Sequence, residues 1–301
     1  MGATATGKTD LAVRLCDRYP FEIISVDSAL IYRGMDIGTA KPSKSLLTRY
    51  PHRLIDILDP AETYSAARFR TDALKAMRDI SRRGRIPLLV GGTMLYFRAL
   101  QYGLSRLPEA DPHIRAALLE RVKREGLDSL HMELRRLDPP AAQRIHPHDP
   151  QRILRALEVH RLTGKPISAF FQETDSSLPD FRLLKLALWV DDRNELHSRI
   201  ARRFEQMVAG GFVEEVAQLK ARGDLTSGYS SMRTVGYRQV WQYLDGEFNL
   251  ETMCERGVIA TRQLAKRQIT WLRGESDLFK IDFLNPDLGA LSNIIEQFIN
   301  M

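Results

Sequence analysis

Short, unbroken apolar runs alternate with amphipathic stretches through the first third of the chain. Glu22-Ile23-Ile24-Ser25-Val26-Asp27 reads as a buried strand ending in an acid, and Ile86-Pro87-Leu88-Leu89-Val90 as a buried parallel strand. Residues 52–58 read as another strand, halted by Asp59-Pro60. Between these runs, residues 65–83 have helical spacing, with Phe69, Ala73, Ala76, Met77 and Ile80 on one face. Gly91-Gly92-Thr93 then turns the second strand into a helix that starts at Met94. Strands alternating with helices predict an α/β fold with a parallel sheet.

The pattern changes near residue 110. Asp111-Pro112, Asp138-Pro139 and Asp149-Pro150 each pair an N-cap with proline at the first helical position, and Gly126 and Gly164 look like helix stops. Residues 114–124, 130–137 and 153–162 are helical and nothing alternates like a strand, so residues 111–179 are expected to form an all-helical insertion. The core is then 1–110 with 180–301. An apolar strand returns at residues 183–190 and ends in Asp191-Asp192, which competes with Asp27 for the role of a strand-end acid. The helix of residues 195–208 follows.

Residues 256–273 combine a weakly apolar stripe (Val258, Thr261, Ala265, Ile269, Leu272) with Arg256, Arg262, Lys266, Arg267 and Arg273, and contain no acid. Trp271 lies among these cations. Cations interleaved with an aromatic suit a nucleic-acid backbone and an unstacked base. In the insertion, Gln151-Arg152-Ile153-Leu154-Arg155 puts two arginines at a helix N-terminus, a placement suited to phosphate, although most other arginines there read as solvated faces.

The net charge is +6 with a pI near 9.4, so the cations of residues 256–273 account for most of the imbalance. At 301 residues and 44% hydrophobic the chain can bury a sizeable core. No apolar run reaches the roughly eighteen residues that would span a bilayer, so no membrane partner and a cytoplasmic location are expected. Cys16 and Cys254 are too few and too separated for a disulfide framework or a cysteine metal site. His146-Pro147-His148-Asp149 has no third metal ligand at a convincing spacing.

The candidate chemistry stands at the start. Gly2-Ala3-Thr4-Ala5-Thr6-Gly7-Lys8-Thr9 matches G-x-x-x-x-G-K-[ST], the phosphate-binding loop. Its backbone N–H groups and the helix that follows suit an anion, Lys8 adds a charge, and the Thr9 hydroxyl suits Mg²⁺. A buried strand should feed such a loop, yet only Met1 stands before Gly2. Either that strand lies upstream of this sequence or the central sheet is short by one member. The residues alone leave three candidates: a small-molecule kinase, an RNA-dependent ATPase, and a transferase acting on RNA.

Several longer strings decide among them by resemblance. Besides residues 2–9, these are Ser25-Val26-Asp27-Ser28-Ala29-Leu30-Ile31-Tyr32, Asp36-Ile37-Gly38-Thr39-Ala40-Lys41-Pro42, Val90-Gly91-Gly92-Thr93-Met94-Leu95-Tyr96, Val235-Gly236-Tyr237-Arg238-Gln239 and Lys266-Arg267-Gln268-Ile269-Thr270-Trp271-Leu272-Arg273. In this order they resemble the bacterial tRNA dimethylallyltransferase family over nearly the whole chain; Ala3 departs from the proline common there. The resemblance implies a P-loop core with a helical insertion, and transfer of a dimethylallyl group from dimethylallyl diphosphate to the N6 amine of an adenosine beside the tRNA anticodon. It implies Asp27 as the base, with Thr9 and Arg203 as further catalytic residues, and residues 2–9 with Mg²⁺ around the diphosphate. It also implies tRNA contacts at Asp27, Ser28, Ala29, Leu30, Thr93, Arg115, Gln151, Arg152, Ile153, Leu154, Arg155, Arg233, Thr234, Val235, Gly236, Tyr237 and Arg238. Lys266, Arg267, Gln268, Ile269, Thr270, Trp271, Leu272 and Arg273 complete that set. The chain is expected to act as a monomer.

Overall fold

A computed structural model describes residues 1–105, 107–172 and 181–300. The chain forms two compact units, Met1–Leu100 with Asp180–Met301, and Gln101–Pro179. The division falls after Leu100, which is buried, rather than at residue 111. The last residues assigned to the insertion, 173–179, lie outside the described residues.

The first unit opens with α1 (Lys8–Arg18), β1 (Phe21–Val26), α2 (Lys44–Arg49), β2 (His52–Arg53), α3 (Ala66–Arg82), β3 (Ile86–Gly91) and α4 (Met94–Tyr102). β1 is the middle of a parallel sheet ordered β2-β1-β3, pairing with β3 from Phe21 opposite Ile86 to Val26 opposite Gly91. Burial on both faces explains its continuous apolar run. Ser65 caps α3 by accepting the Arg68 N–H, and the apolar face expected from spacing is buried. The strand expected over residues 52–58 is only His52–Arg53. Leu54 and Asp56 have φ of 65° and 55°, which breaks extended structure, and Leu58 instead bridges to Tyr32.

The second unit is helical: α5 (Pro112–Glu125), α6 (Leu127–Leu137), α7 (Pro139–Arg144) and α8 (Pro150–Thr163), then a 3-10 segment over Ile167–Gln172. Asp111, Asp138 and Asp149 cap α5, α7 and α8 through their carboxylates, each with proline in the first turn. Leu118, Leu130, Leu134, Ile153, Leu154 and Leu157 meet in a core of its own. His146 Nδ1 accepts the His148 N–H at 3.1 Å within the loop before α8.

The first unit resumes with β4 (Lys185–Trp189), α9 (Arg193–Ala209), α10 (Phe212–Ala221), α11 (Tyr237–Leu244), α12 (Leu250–Arg273), β5 (Leu278–Asp282) and α13 (Leu288–Asn300). β4 and β5 pair in parallel as a separate two-stranded sheet, so the β-structure is in two pieces. Gly2 makes a single parallel bridge to Leu188, and the Leu188 N–H donates to the Met1 carbonyl at 3.0 Å. This holds the residues that lead into α1 against β4.

Candidate active site

The loop of residues 2–9 folds back on its own carbonyl. Ala5 and Gly7 take positive φ, 63° and 82°, so the chain curls tightly before α1. The Thr6 hydroxyl donates to the Ala3 carbonyl at 2.8 Å, and Lys8 Nζ donates to the same oxygen at 2.6 Å. Gly7 supplies no side-chain cap to α1, which leaves its first N–H groups and its positive dipole end for an anion. Thr9 follows in the first turn, half-buried, its hydroxyl without a hydrogen bond among the described residues.

Asp27 stands at the carboxyl end of β1. Its Oδ1 accepts the N–H groups of Ala29 (2.8 Å) and Leu30 (3.3 Å), an Asx turn that fixes the carboxylate plane. Its other oxygen has no hydrogen-bond partner among the described residues. The next N–H, of Ser28, donates to Thr93 Oγ1 at 3.1 Å, and the Thr93 N–H donates to the Val26 carbonyl at 3.2 Å. The turn after β3 therefore braces the turn after β1.

Both turns open on a cavity of about 500 Å³ lined entirely by the first unit. Thr4, Lys8, Asp27, Arg203, Arg233 and Arg267 are among its polar lining, while Ile200, Phe204, Met207, Leu264 and Trp271 form an apolar wall. Ile200, Arg203, Phe204 and Met207 recur at helical spacing along α9, so one helix face delivers a cation among hydrocarbons. The Arg98 guanidinium sits 5.2 Å from the Trp271 ring centroid. Burial lowers the Lys8 pKa from 10.5 to about 8; Asp27 opposes that shift and Arg203 adds to it. Burial also lowers the Arg203 pKa, again opposed by Asp27. These groups thus sense one another's charge. Two cations beside one carboxylate leave the site short of negative charge, as an anionic ligand requires.

A further loop borders the cavity through Gly38 and Thr39. Glu215 of α10 gathers it: Oε2 accepts the N–H groups of Asp36 (2.8 Å) and Ile37 (2.7 Å), and Oε1 accepts that of Gly38 (3.2 Å) and the Tyr237 hydroxyl (2.5 Å). Lys41 is almost fully buried; it pairs with Asp36 and Asp56 and donates to the Tyr32 carbonyl at 2.8 Å.

Comparison with known proteins shows the family to which the chain belongs. A model described as IPP transferase matches residues 30–275. The chain belongs to the IPP transferase family. It is 61% identical to the tRNA dimethylallyltransferase of Thioalkalivibrio sulfidiphilus over 95% of this chain and 90% of that one. It is 60% identical to that of Nitrosococcus oceani over 94% and 90%. Among solved structures, the full-length tRNA isopentenylpyrophosphate transferase of Bacillus halodurans is similar with a TM-score of 0.71 at 38% identity, over 99% of this chain and 93% of that one. A eukaryotic dimethylallyltransferase captured acting on tRNA gives a TM-score of 0.77 at 28% identity, over 96% and 73%. These neighbours and the parallel strands with flanking helices give the chain an α/β, P-loop-like fold.

Within this family member, the cavity brings together many of the residues singled out in the sequence. Thr4, Ala5, Lys8, Asp27, Ser28, Ala29, Thr93, Arg203, Arg233, Thr234, Val235, Gly236, Arg267, Gln268 and Trp271 line it. Ala3 and Thr6 are buried behind it, and Gly2 and Leu30 are outside its lining. Other positions need correction as side-chain contacts to RNA. Tyr237, Ile269 and Leu272 are buried core residues, because amphipathic helices turn one face inward. Ile153 and Leu154 are core residues of the second unit for the same reason. Arg155 is tied to Glu158 at 2.8 Å and to the Pro108 carbonyl. Gln151 and Arg152 are exposed on the second unit and Arg115 is half-buried there, while Arg238, Lys266, Thr270 and Arg273 are exposed on the first.

The rival acids are accounted for elsewhere. Asp192 caps α9 and Asp191 accepts from the Trp189 indole, and neither lines the cavity. Glu215 had no sequence signal, standing in an ordinary Glu-Glu pair on a helix. The apolar wall of α9 was missed, although Ile200, Phe204 and Met207 stand at i, i+4 and i+7, the spacing that marks it.

Proposed function

We propose that this chain transfers the dimethylallyl group of dimethylallyl diphosphate to the N6 amine of an adenosine beside the anticodon of tRNA, releasing diphosphate. The observation that carries the proposal is the unpartnered carboxylate oxygen of Asp27 in the same cavity as the phosphate loop, Lys8 and Arg203. An adenine amine is a weak nucleophile because its lone pair is delocalised into the ring. As N6 bonds to the allylic carbon, Asp27 takes the amine proton, the carbon–oxygen bond breaks and its electron pair leaves on the diphosphate. Lys8, Arg203 and the free N–H groups of α1 then face the charge that grows on the leaving group. The apolar wall from α9 and α12 suits the hydrocarbon and keeps water from a reactive allylic centre.

The residues fit Mg²⁺. Thr9 carries an uncommitted hydroxyl beside the anion-facing helix end, and Mg²⁺ is ordinarily held by few protein oxygens together with phosphates and waters. Thr9 would hold it, and when bound it supplies charge neutralisation to the leaving group. The adenosine must leave the stack of the anticodon loop to reach Asp27, and Trp271 with Arg98 behind it offers a face for a base. The protein is proposed to act as a monomer.

Incubation with dimethylallyl diphosphate, Mg²⁺ and unmodified tRNA, followed by digestion and nucleoside mass analysis, tests the proposal. A dimethylallylated adenosine is expected. Phosphate release from ATP on adding tRNA, with the RNA mass unchanged, would reverse the reading in favour of an ATPase.

A further inference from the structure

Gln268 lies on α12 between Arg267 and Ile269, and its side chain reaches two loops at once. Its Oε1 accepts the Thr4 N–H of the phosphate loop at 2.8 Å. Its Nε2 donates to the Gly92 carbonyl, in the turn after β3, at 2.9 Å. Neither backbone group has another partner among the described residues. Gly92 leaves the space for this: a Cβ there would lie 2.4 Å from Gln268 Nε2. From Gly92 the path continues through Thr93, whose hydroxyl accepts the Ser28 N–H beside Asp27. One amide therefore links the loop that faces the leaving group to the turn that carries the base.

We propose that Gln268 is a positioning residue, and that its amide sets the phosphate loop in register with the Asp27 turn instead of contacting RNA. The inference rests on the function proposed above. The amide is used in both senses, as acceptor and as donor. Glutamate of the same length keeps the acceptor but has no hydrogen to give, and places its charge against a carbonyl. Asparagine is one methylene short of spanning the gap. A loop that drifts by an ångström misplaces the allylic carbon relative to the base, which is costly for a reaction that depends on alignment.

The test is a double-mutant cycle between Gln268→Ala and Gly92→Ala, with Gln268→Glu as the isosteric control. The readouts are kcat/KM for dimethylallyl diphosphate at saturating tRNA, melting temperature, and tRNA affinity. Gly92→Ala drives the amide away without altering Gln268, and once Gln268 is truncated the nearest atom left to its methyl among those within reach is the Gly2 carbonyl oxygen, at 3.2 Å, a tight approach that a shift of a few tenths of an ångström relieves. Each single variant and Gln268→Glu should lose roughly 10- to 100-fold in kcat/KM, with tRNA affinity within about twofold of wild type. The double variant should be no worse than the poorer single one, because both break the same link. Multiplicative losses in the double variant, or a Gln268→Ala enzyme within about twofold of wild type, would overturn the proposal. So would a loss explained by a smaller folded fraction, or a loss of tRNA affinity matching the loss of turnover. If wild type itself makes no product, the functional reading fails instead. Titration of inorganic diphosphate into wild type and the four variants then decides the link: parallel, non-additive weakening supports it, and unchanged affinity overturns it.

Discussion

Asp27 commits one oxygen to structure, and the other is the one proposed for chemistry. Oδ1 holds the turn through Ala29 and Leu30, so Asp27→Asn keeps that acceptor and the fold while removing the proposed base. We expect Asp27→Asn to lower turnover roughly 100- to 10,000-fold, with tRNA affinity little changed, read by mass analysis of nucleosides. Lys8 gives a pH signature. Its proton leaves near pH 8 in the free protein, against 10.5 for an ordinary lysine, and diphosphate binding favours the charged form. Donor kcat/KM should therefore fall as pH rises through about 8. Lys8→Met should start lower and lack that limb of the profile. Asp27 and Lys8 were both legible in the sequence, since a strand-end acid and a complete G-K-T motif need little context. That Lys8 turns onto the Ala3 carbonyl was not, because the curl of a loop depends on what packs around it.

At the scale of elements, α10 and α12 have roles that their composition conceals. Glu215 of α10 satisfies three backbone N–H groups and the Tyr237 hydroxyl. Glu215→Ala should cost on the order of 3 kcal/mol or more, measured by denaturant unfolding, because it leaves several half-buried donors unmet. Helix α12 serves three directions: Ala265, Ile269 and Leu272 enter the core, Gln268 and Trp271 face the cavity, and Lys266 and Arg273 face water. The acid-free run of cations was plain in the sequence. Which of its residues point outward was decided by α9, against whose Phe204 ring Gly257 packs. Lys266→Ala and Arg273→Ala should each weaken tRNA binding and reduce the slope of log affinity against log salt by about 0.7–0.9 for every phosphate left without its cation. Binding of inorganic diphosphate should not change.

The whole molecule carries separate cores in its two units, and the described cavity belongs to one of them. Leu134 is fully buried in the helical unit. Leu134→Ala should destabilise that unit by about 2–5 kcal/mol in thermal unfolding, while diphosphate binding at the first unit's loop persists. The helical unit was readable in outline because its Asp-Pro caps are local signals. Its edge after Leu100 was not, since it falls within α4, where no cap or breaker marks it. The strand forecast over residues 52–58 was cut short at Arg53 for a related reason: Lys41 pairs with Asp56 across the loop, and Leu54 and Asp56 adopt left-handed backbone.

Signals carried by the chain's own neighbours were fixed by sequence. These include the phosphate loop, the strand-end Asp27, the capped helices and the uncompensated charge of residues 256–273, all of which need only spacing, propensity or residue type. Tertiary structure alone decided which of those residues share a cavity, how Glu215 holds a loop far away in sequence, and why Gln268 faces two backbones instead of solvent. Each depends on a hydrogen bond or a close approach between segments distant along the chain. Packing selects such pairings only after the local elements exist.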